Sequence, residues 1–137
     1  MSAAPSLAEY AATVREAFAF LAECGFQEIV APPHRRRDPF QIWFGASGRF
    51  VVVAGEGLGT TASVMLEYDH RELSEIDLVP ANERPASIRG RRHATQLEQV
   101  REAARRLERY GGDFLAGDVT RFLALAKPLP PYKRPPY

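Results

Sequence analysis

The chain has 137 residues, of which 45% are hydrophobic and 26% are charged, and its formal net charge is +1. This composition is typical of a globular protein, and it excludes both disorder along the whole chain and, with Cys24 as the single cysteine, an intramolecular disulfide. No apolar run approaches the roughly 20 residues that a membrane span needs, so we expect no membrane partner. The single cysteine favours a reducing, cytoplasmic setting. We expect one domain at residues 1–127, followed by a Pro-rich tail at residues 128–137.

The first predicted element is an amphipathic helix. Ser6 and Glu9 form a capping box, apolar residues then recur at helical spacing, and Gly25 ends the run. After it the pattern changes to short β-branched and aromatic segments divided by turn residues, namely FQEIVA, FQIWF, RFVVVA and TTASVMLEY. Such segments predict an antiparallel meander. In the last segment, alternation places Val64 and Leu66 on the opposite face from Glu67.

The glycine-rich stretch GEGLG, residues 55–59, lies between the last two of these segments. A dinucleotide-binding turn needs Gly-x-Gly-x-x-Gly at the start of a helix, so that the phosphates meet free backbone N–H groups. Here Thr60 occupies the third glycine position, and the residues after it alternate with a period of two rather than 3.6. The stretch therefore predicts a hairpin whose glycines supply positive φ, not a nucleotide site.

Three further helical segments are predicted in the remaining chain. The segment LSEIDLVP, with Ser74 as a candidate N-cap, favours a short helix or a turn, and after a connector at residues 81–92 a longer helix begins at Thr95, whose capping-box partner is Glu98. A third helix is capped by Asp118 and stops before Pro128, where a tail with polyproline II preference begins. The predicted fold is α+β: a three- to four-stranded antiparallel meander packed by an N-terminal helix and C-terminal helices.

Candidate catalytic and metal-binding residues are few. His34, His70 and His93 lie in different connectors, and none has another His or a Cys at ligand spacing. The segment EYDHRE, residues 67–72, gathers carboxylates and a histidine at the end of a strand. It is a candidate for acid–base or metal chemistry, although a polar exit from the sheet is the favoured interpretation. We expect a protein that is not an enzyme, with no cofactor and no metal.

Charge is distributed unevenly along the chain. Residues 51–83 carry seven acidic residues and one Arg, whereas residues 84–110 carry eight Arg and three Glu, which predicts distinct acidic and basic faces. Two basic clusters, HRRRD and RGRRH, contain Arg35, Arg36, Arg37, Arg89, Arg91 and Arg92. Because arginines neutralise phosphates, nucleic-acid binding is the alternative function, while solvated helix faces paired with Glu are the structural alternative.

Aromatic residues occupy both faces of the strand that contains Trp43. A sheet covered by helices on one face needs only one aromatic face, so Trp43 is either part of the core or an anchor for a partner.

The order of the elements, with FAFLAECGF early and RRLERYGGDFLAGDVTRFLAL late, resembles small bacterial α+β domains of the toxin-immunity type. The resemblance implies a single-domain, cytoplasmic, non-catalytic protein that binds a partner protein. We therefore expect a protein-binding module that docks on a basic partner such as a toxin, with a homodimer as a further alternative. The expected partner-binding residues are Trp43, Glu67, Asp69, Glu72, Glu75 and Asp77.

Overall fold

A computed structural model describes residues 4–56, 59–84 and 94–136 of the chain. Over these residues one antiparallel sheet has six strands in chain order: β1 Gln27–Ile29, β2 Gln41–Ala46, β3 Arg49–Glu56, β4 Thr61–Tyr68, β5 Arg71–Ser74 and β6 Lys127–Pro128. The α-helices are α1 Leu7–Ala17, α2 Gln96–Tyr110, α3 Gly112–Ala116 and α4 Thr120–Leu125. Short 3₁₀ helices lie at Ala19–Cys24, Glu75–Leu78, Ala81–Glu83 and Pro131–Lys133.

The α+β class and the antiparallel meander are confirmed, but the described sheet has more strands than the three or four expected. Strand β5 follows β4 through a two-residue turn in which Asp69 and His70 have φ of 51° and 58°. Positive φ at both positions is the type I′ geometry, whose twist matches that of a hairpin. The residues that pair between β5 and β6 are 55 or more positions apart in the chain, so no local sequence pattern predicts strand β6.

The first helix begins at the predicted capping box but changes character before its predicted end. Ser6 accepts from the backbone of Glu9 and Glu9 reaches back to Ser6, after which α1 ends at Ala17. The chain continues as a 3₁₀ helix to Cys24, and Gly25 adopts the left-handed conformation. Phe18 and Leu21 are both buried, and their spacing of three residues matches the 3₁₀ period, so both side chains point into the core.

The second long helix also begins where its cap predicts. The Thr95 hydroxyl accepts from the backbone N–H of Glu98 at 3.1 Å. The second long helix ends at the glycine pair, since Gly111 is the C-cap of α2, and a further helix follows at once because Gly111 is also the N-cap of α3. Arg49, from β3, donates to the carbonyl oxygens of Phe114 and Leu115 at 2.6 and 2.8 Å and so ties α3 to the sheet.

The main core lies between the helices and one face of the sheet. Val64 and Leu66 of β4 face it, as the alternation predicts. The other large buried contributors include Tyr10, Val14, Phe18, Val51, Val53, Val100, Leu107, Phe114 and Phe122. The α-helices therefore cover a single face of the sheet. No described helix combines the length and apolar character needed to cross a membrane.

Two carboxylates organise the opposite face of the sheet, here called the outer face. Glu67 and Glu72 lie directly across from each other on β4 and β5, where like charges repel. Each has its own cation: Arg35 from the β1–β2 connection pairs with Glu67, and Lys133 from the tail pairs with Glu72. These two ion pairs hold the connection and the tail against the outer face.

The Pro-rich tail has polyproline II dihedral angles at Pro130 (φ −57°, ψ 152°) and Arg134 (φ −79°, ψ 150°) but is not one continuous polyproline II segment. It begins in strand β6 and ends in a 3₁₀ turn at Pro131–Lys133. Between them, Leu129 is buried and donates its backbone N–H to the carbonyl of His70 at 2.8 Å. Pairing with β5 satisfies backbone groups that an isolated polyproline II segment would leave to water.

The glycine-rich stretch is part of the β3–β4 hairpin, as predicted, although Gly57 and Leu58 lie outside the described residues. Gly59 has a φ of 88°, so it supplies the positive φ expected of the hairpin glycines. Gly55 instead lies within β3, where a Cβ would be 2.6 Å from Nε2 of Gln96 and 3.0 Å from a ring carbon of Tyr10. Gly55 is thus required for close packing, not for positive φ.

Candidate functional site

Trp43 and Glu67, two of the predicted docking residues, form a buried cluster with Arg35. The Nη1 and Nη2 groups of Arg35 donate to the two carboxylate oxygens of Glu67 at 2.7 and 2.9 Å. The guanidinium carbon lies 4.8 Å from the centroid of the Trp43 ring. The Arg35 and Glu67 side chains are 8% and 6% exposed, and Trp43 is 1% exposed. These residues hold the β1–β2 connection on the sheet, and the docking role expected of Trp43 and Glu67 stays a prediction.

Two further predicted docking residues are also paired within the chain. Lys133 Nζ lies 2.8 Å from Oε1 of Glu72. Glu75 is buried on the side of the sheet that faces α2, where Arg106 donates to its carboxylate with a shortest distance of 2.6 Å. Burial raises the pKa of Glu75 above its ordinary value, against the opposing effect of Arg106. Glu75 therefore does not share a surface with Glu67 and Glu72.

Asp69 and Asp77 are the two predicted acidic residues whose side chains are exposed. Asp69 lies in the β4–β5 turn, and Asp77 lies in the 3₁₀ helix at Glu75–Leu78. The structure thus distributes the five acidic residues over a turn, a 3₁₀ helix and two faces of the sheet. Their role in docking stays a prediction.

The predicted basic clusters divide in the same way. Arg36 and Arg37 are exposed, whereas Arg35 belongs to the buried cluster with Glu67. Arg89, Arg91 and Arg92 lie outside the described residues, as does His93. Nucleic-acid binding by these segments therefore stays a prediction that depends on residues beyond the described ranges.

Helix α2 presents a further basic stripe. Its exposed arginines recur every four residues and so share one side of the helix: Arg101, Arg105 and Arg109. Glu98 and Glu108 are exposed on the same helix. Exposure of these residues to solvent agrees with the structural alternative, whereas their pairing with Glu stays a prediction.

The segment at residues 67–72 forms a hairpin. Glu67 and Glu72 are in different ion pairs, and Asp69 and His70 occupy the two central positions of the turn. Among the residues that the structure describes, no three His, Cys, Asp or Glu side chains come together as a group able to hold a metal ion.

The exposed edge of β1 is the candidate functional site. Because β1 is the first strand of the meander, it pairs with β2 on one side only within the described part of the chain. Ile29, its last residue, is 36% exposed, and Val30 immediately after it is 79% exposed. A cleft along this edge is lined by Arg15, Glu28, Val30, Arg37, Asp38 and Trp43, among others. An unpaired strand edge with adjoining apolar side chains is able to accept another strand.

Charged groups around the cleft are balanced. Arg15 of α1 donates from Nε and Nη2 to the two carboxylate oxygens of Glu28 at 2.9 and 3.1 Å. This hydrogen bonding lowers the pKa of Glu28 and raises that of Arg15, so the pair stays ionised. Arg37 and Asp38 contribute one further charge of each sign. The cleft thus has an apolar strip beside two cations and two anions.

The other edge of the sheet is closed. Strand β6 has two residues, one of which is Pro128, and proline lacks the backbone N–H that a further strand would need. Sequence reasoning assigned the β1 segment to a strand without identifying it as a binding edge. The available signal was topological: the first strand of a meander has a neighbour on one side only.

No family model, curated protein or solved structure matches this chain. The resemblance to toxin-immunity domains is therefore neither supported nor refuted and stays a prediction. A function must be inferred from the geometry of the molecule itself.

Proposed function

We propose that this chain is a non-catalytic protein-binding module and that its partner docks along the β1 edge. The observation that carries the proposal is the exposure of Ile29 and Val30 beside a strand edge that has no neighbour among the described residues. An exposed apolar strip of this kind gains from desolvation when a partner covers it, by about 25 cal/mol for each Å² of apolar area buried.

The geometry suits recognition of an extended segment. Backbone N–H and C=O groups of an edge strand give affinity through ladder hydrogen bonds, and neighbouring side chains give specificity. Val30 is the apolar contact, and the charges of Arg15, Glu28 and Arg37 form a polar rim that orients the incoming chain. An immunity or accessory role is one biological setting in which such a module would act.

Docking on a basic partner is still proposed, but through fewer acidic residues than the sequence suggested. The acidic residues that such a partner would meet are Asp69 and Asp77, since Glu67, Glu72 and Glu75 are paired within the chain. Charge reversal at Asp69 and Asp77 tests docking without breaking an internal pair. Reversal at Glu67 or Glu75 would instead test folding.

The test is affinity capture of the tagged full chain from its native lysate, with and without nuclease, followed by mass spectrometry. Four baits are compared: wild type, Val30→Glu, the matched control Leu125→Glu, and Asp69→Lys combined with Asp77→Lys. Leu125 is 46% exposed and lies on α4, so the control adds the same charge away from β1.

We expect a stoichiometric protein to survive nuclease treatment on wild type and on Leu125→Glu and to be lost on Val30→Glu. Equal retention on Val30→Glu and Leu125→Glu would exclude the β1 edge as the docking surface. Loss on the Asp69 and Asp77 variant would instead favour the acidic surface. Retention that disappears with nuclease would favour nucleic acid, with Arg36 and Arg37 as the first arginines to replace.

A further inference from the structure

We infer that the protein bound at the β1 edge is a second copy of this chain, which forms a two-fold dimer with one continuous sheet. The inference rests on the proposed function, because it names the partner of the same edge. Three features of the described residues support a copy over an unrelated protein: the single open edge, the strand register and the balanced charges of the cleft.

The single open edge limits assembly to two chains. If both edges of a sheet accepted strands, copies would add without end and form a filament. Here β6 closes the other edge with Pro128, and Lys133 further fixes the tail through its ion pair with Glu72. Pairing of β1 with β1 therefore uses the open edge of each copy and closes the assembly as a dimer.

The register places the two-fold axis at Ile29. In a two-fold antiparallel pair one residue lies opposite its own copy, and residues directly opposite lie on the same face. An axis at Glu28 would place two carboxylates face to face, and an axis at Val30 would bring Pro32, which lacks an N–H, opposite Glu28. With the axis at Ile29, the two Ile29 side chains meet, and each Glu28 lies opposite Val30 of the second copy.

The faces of the sheet agree with this axis. Ile29 pairs with Trp43 and so lies on the outer face, whereas Glu28 pairs with Phe44 and lies on the face toward α1. The two Ile29 side chains, each 36% exposed in one chain, would cover each other on the outer face next to the buried Trp43. On the other face, each Glu28 keeps its Arg15 partner and would lie opposite the uncharged Val30 of the second copy, so this axis sets no carboxylate against another.

The balanced charges favour self-recognition. A surface that meets its own copy must be complementary to itself, and a patch of one sign would repel its copy. The β1 cleft contains Arg15 and Arg37 together with Glu28 and Asp38, two charges of each sign.

The test is the mass of the full-length protein in solution, measured by sedimentation equilibrium over a range of concentrations. We expect wild type to have twice the mass of one chain. Both Val30→Glu and Val30→Lys remove the apolar contact of Val30, so each should weaken the dimer. Val30→Glu also places a carboxylate opposite Glu28 of the second copy in two symmetric places, whereas Val30→Lys places an ammonium group there. The Val30→Glu dimer should therefore be about tenfold weaker than the Val30→Lys dimer.

Folding does not limit this comparison, because Val30 is 79% exposed and both variants change the same side chain. A second test addresses the axis itself. Ile29→Lys and Ile29→Glu should each be monomeric because a charge meets its own copy, and an equal mixture of the two should form a mixed dimer. Leu125→Glu, remote from the edge, should dimerise as wild type does.

The outcomes distinguish failure of the dimer from failure of the proposed function. A monomeric wild type, equal dimer affinity of Val30→Glu and Val30→Lys, or Ile29 variants that fail to associate when mixed would overturn the inference. If wild type is monomeric but Val30→Glu loses a different protein in the capture experiment, the proposed function stands and the second copy is excluded as the partner. If wild type is monomeric and Val30→Glu captures what Leu125→Glu captures, both proposals fail.

Discussion

Replacing Glu67 by Gln should destabilise the protein strongly, although Glu67 was expected from the sequence to be a surface residue. The substitution preserves the shape of the side chain but leaves the guanidinium of Arg35, whose side chain is 8% exposed, without its counter-charge. Removing one partner of a buried ion pair costs about 3–5 kcal/mol, and because Gln retains one acceptor oxygen we expect about 3 kcal/mol. For a chain of this length that corresponds to a fall in Tm of about 10 °C.

The assay is urea unfolding followed by tryptophan fluorescence. Trp43 is the single tryptophan of the chain and lies under Arg35, so it reports directly on this cluster. Asp69→Asn is the matched control, since it removes a carboxylate two residues away that is exposed, and it should change the free energy of unfolding by less than about 0.5 kcal/mol.

A double-mutant cycle separates the ion pair from other effects of the substitution. Arg35→Met combined with Glu67→Gln removes both charges, so its cost should be less than the sum of the two single substitutions by about 1–3 kcal/mol. The reasoning is refuted if Glu67→Gln unfolds at the same urea concentration as Asp69→Asn, or if the two single effects simply add.

Two further predictions concern the helix-facing side of the sheet. Gly55→Ala should lower the free energy of unfolding by about 1–3 kcal/mol, because its Cβ would meet Gln96. Gly112→Ala, whose Cβ would have no atom within 4 Å, should be neutral or slightly stabilising in the same urea assay. Equal effects of the two substitutions would contradict the close packing at Gly55. Burial raises the pKa of Glu75, so the folded state binds its proton more tightly than the unfolded chain does. This contribution to stability is complete below the unfolded pKa and is lost as pH rises through the folded pKa. The free energy of unfolding of wild type relative to Glu75→Gln should therefore fall across that window, and a difference that is constant or rises with pH would exclude the raised pKa.

Much of the local structure could be predicted because its signals lie within a few residues. Ser6 and Thr95 cap their helices through hydrogen bonds three residues away. The alternation that places Val64 toward the helices depends only on the geometry of a strand. Strand β5 was missed because its four residues are too few to establish a period, and α3 was missed because the glycines before it favour a helix end.

The candidate site was harder to predict because exposure is not a local property. Val30 lies in the segment FQEIVA, whose composition is that of any buried strand, and its 79% exposure follows from the position of β1 at the edge of the sheet. Conversely, Glu67 and Glu75 are charged residues, which usually lie at the surface, yet both are buried. Each is compensated by an arginine that folding brings from more than 30 residues away, Arg35 in one case and Arg106 in the other.

The sequence by itself determined the starts of α1 and α2, the β3–β4 hairpin and the face of β4 that meets the core, because backbone geometry and short-range hydrogen bonds decide these. Only the tertiary structure decided that Arg35 covers Trp43, that the tail closes one edge of the sheet and that β1 has no second neighbour within residues 4–56, 59–84 and 94–136. Those features depend on contacts between residues distant in the chain, whose energies exist only once the sheet has assembled.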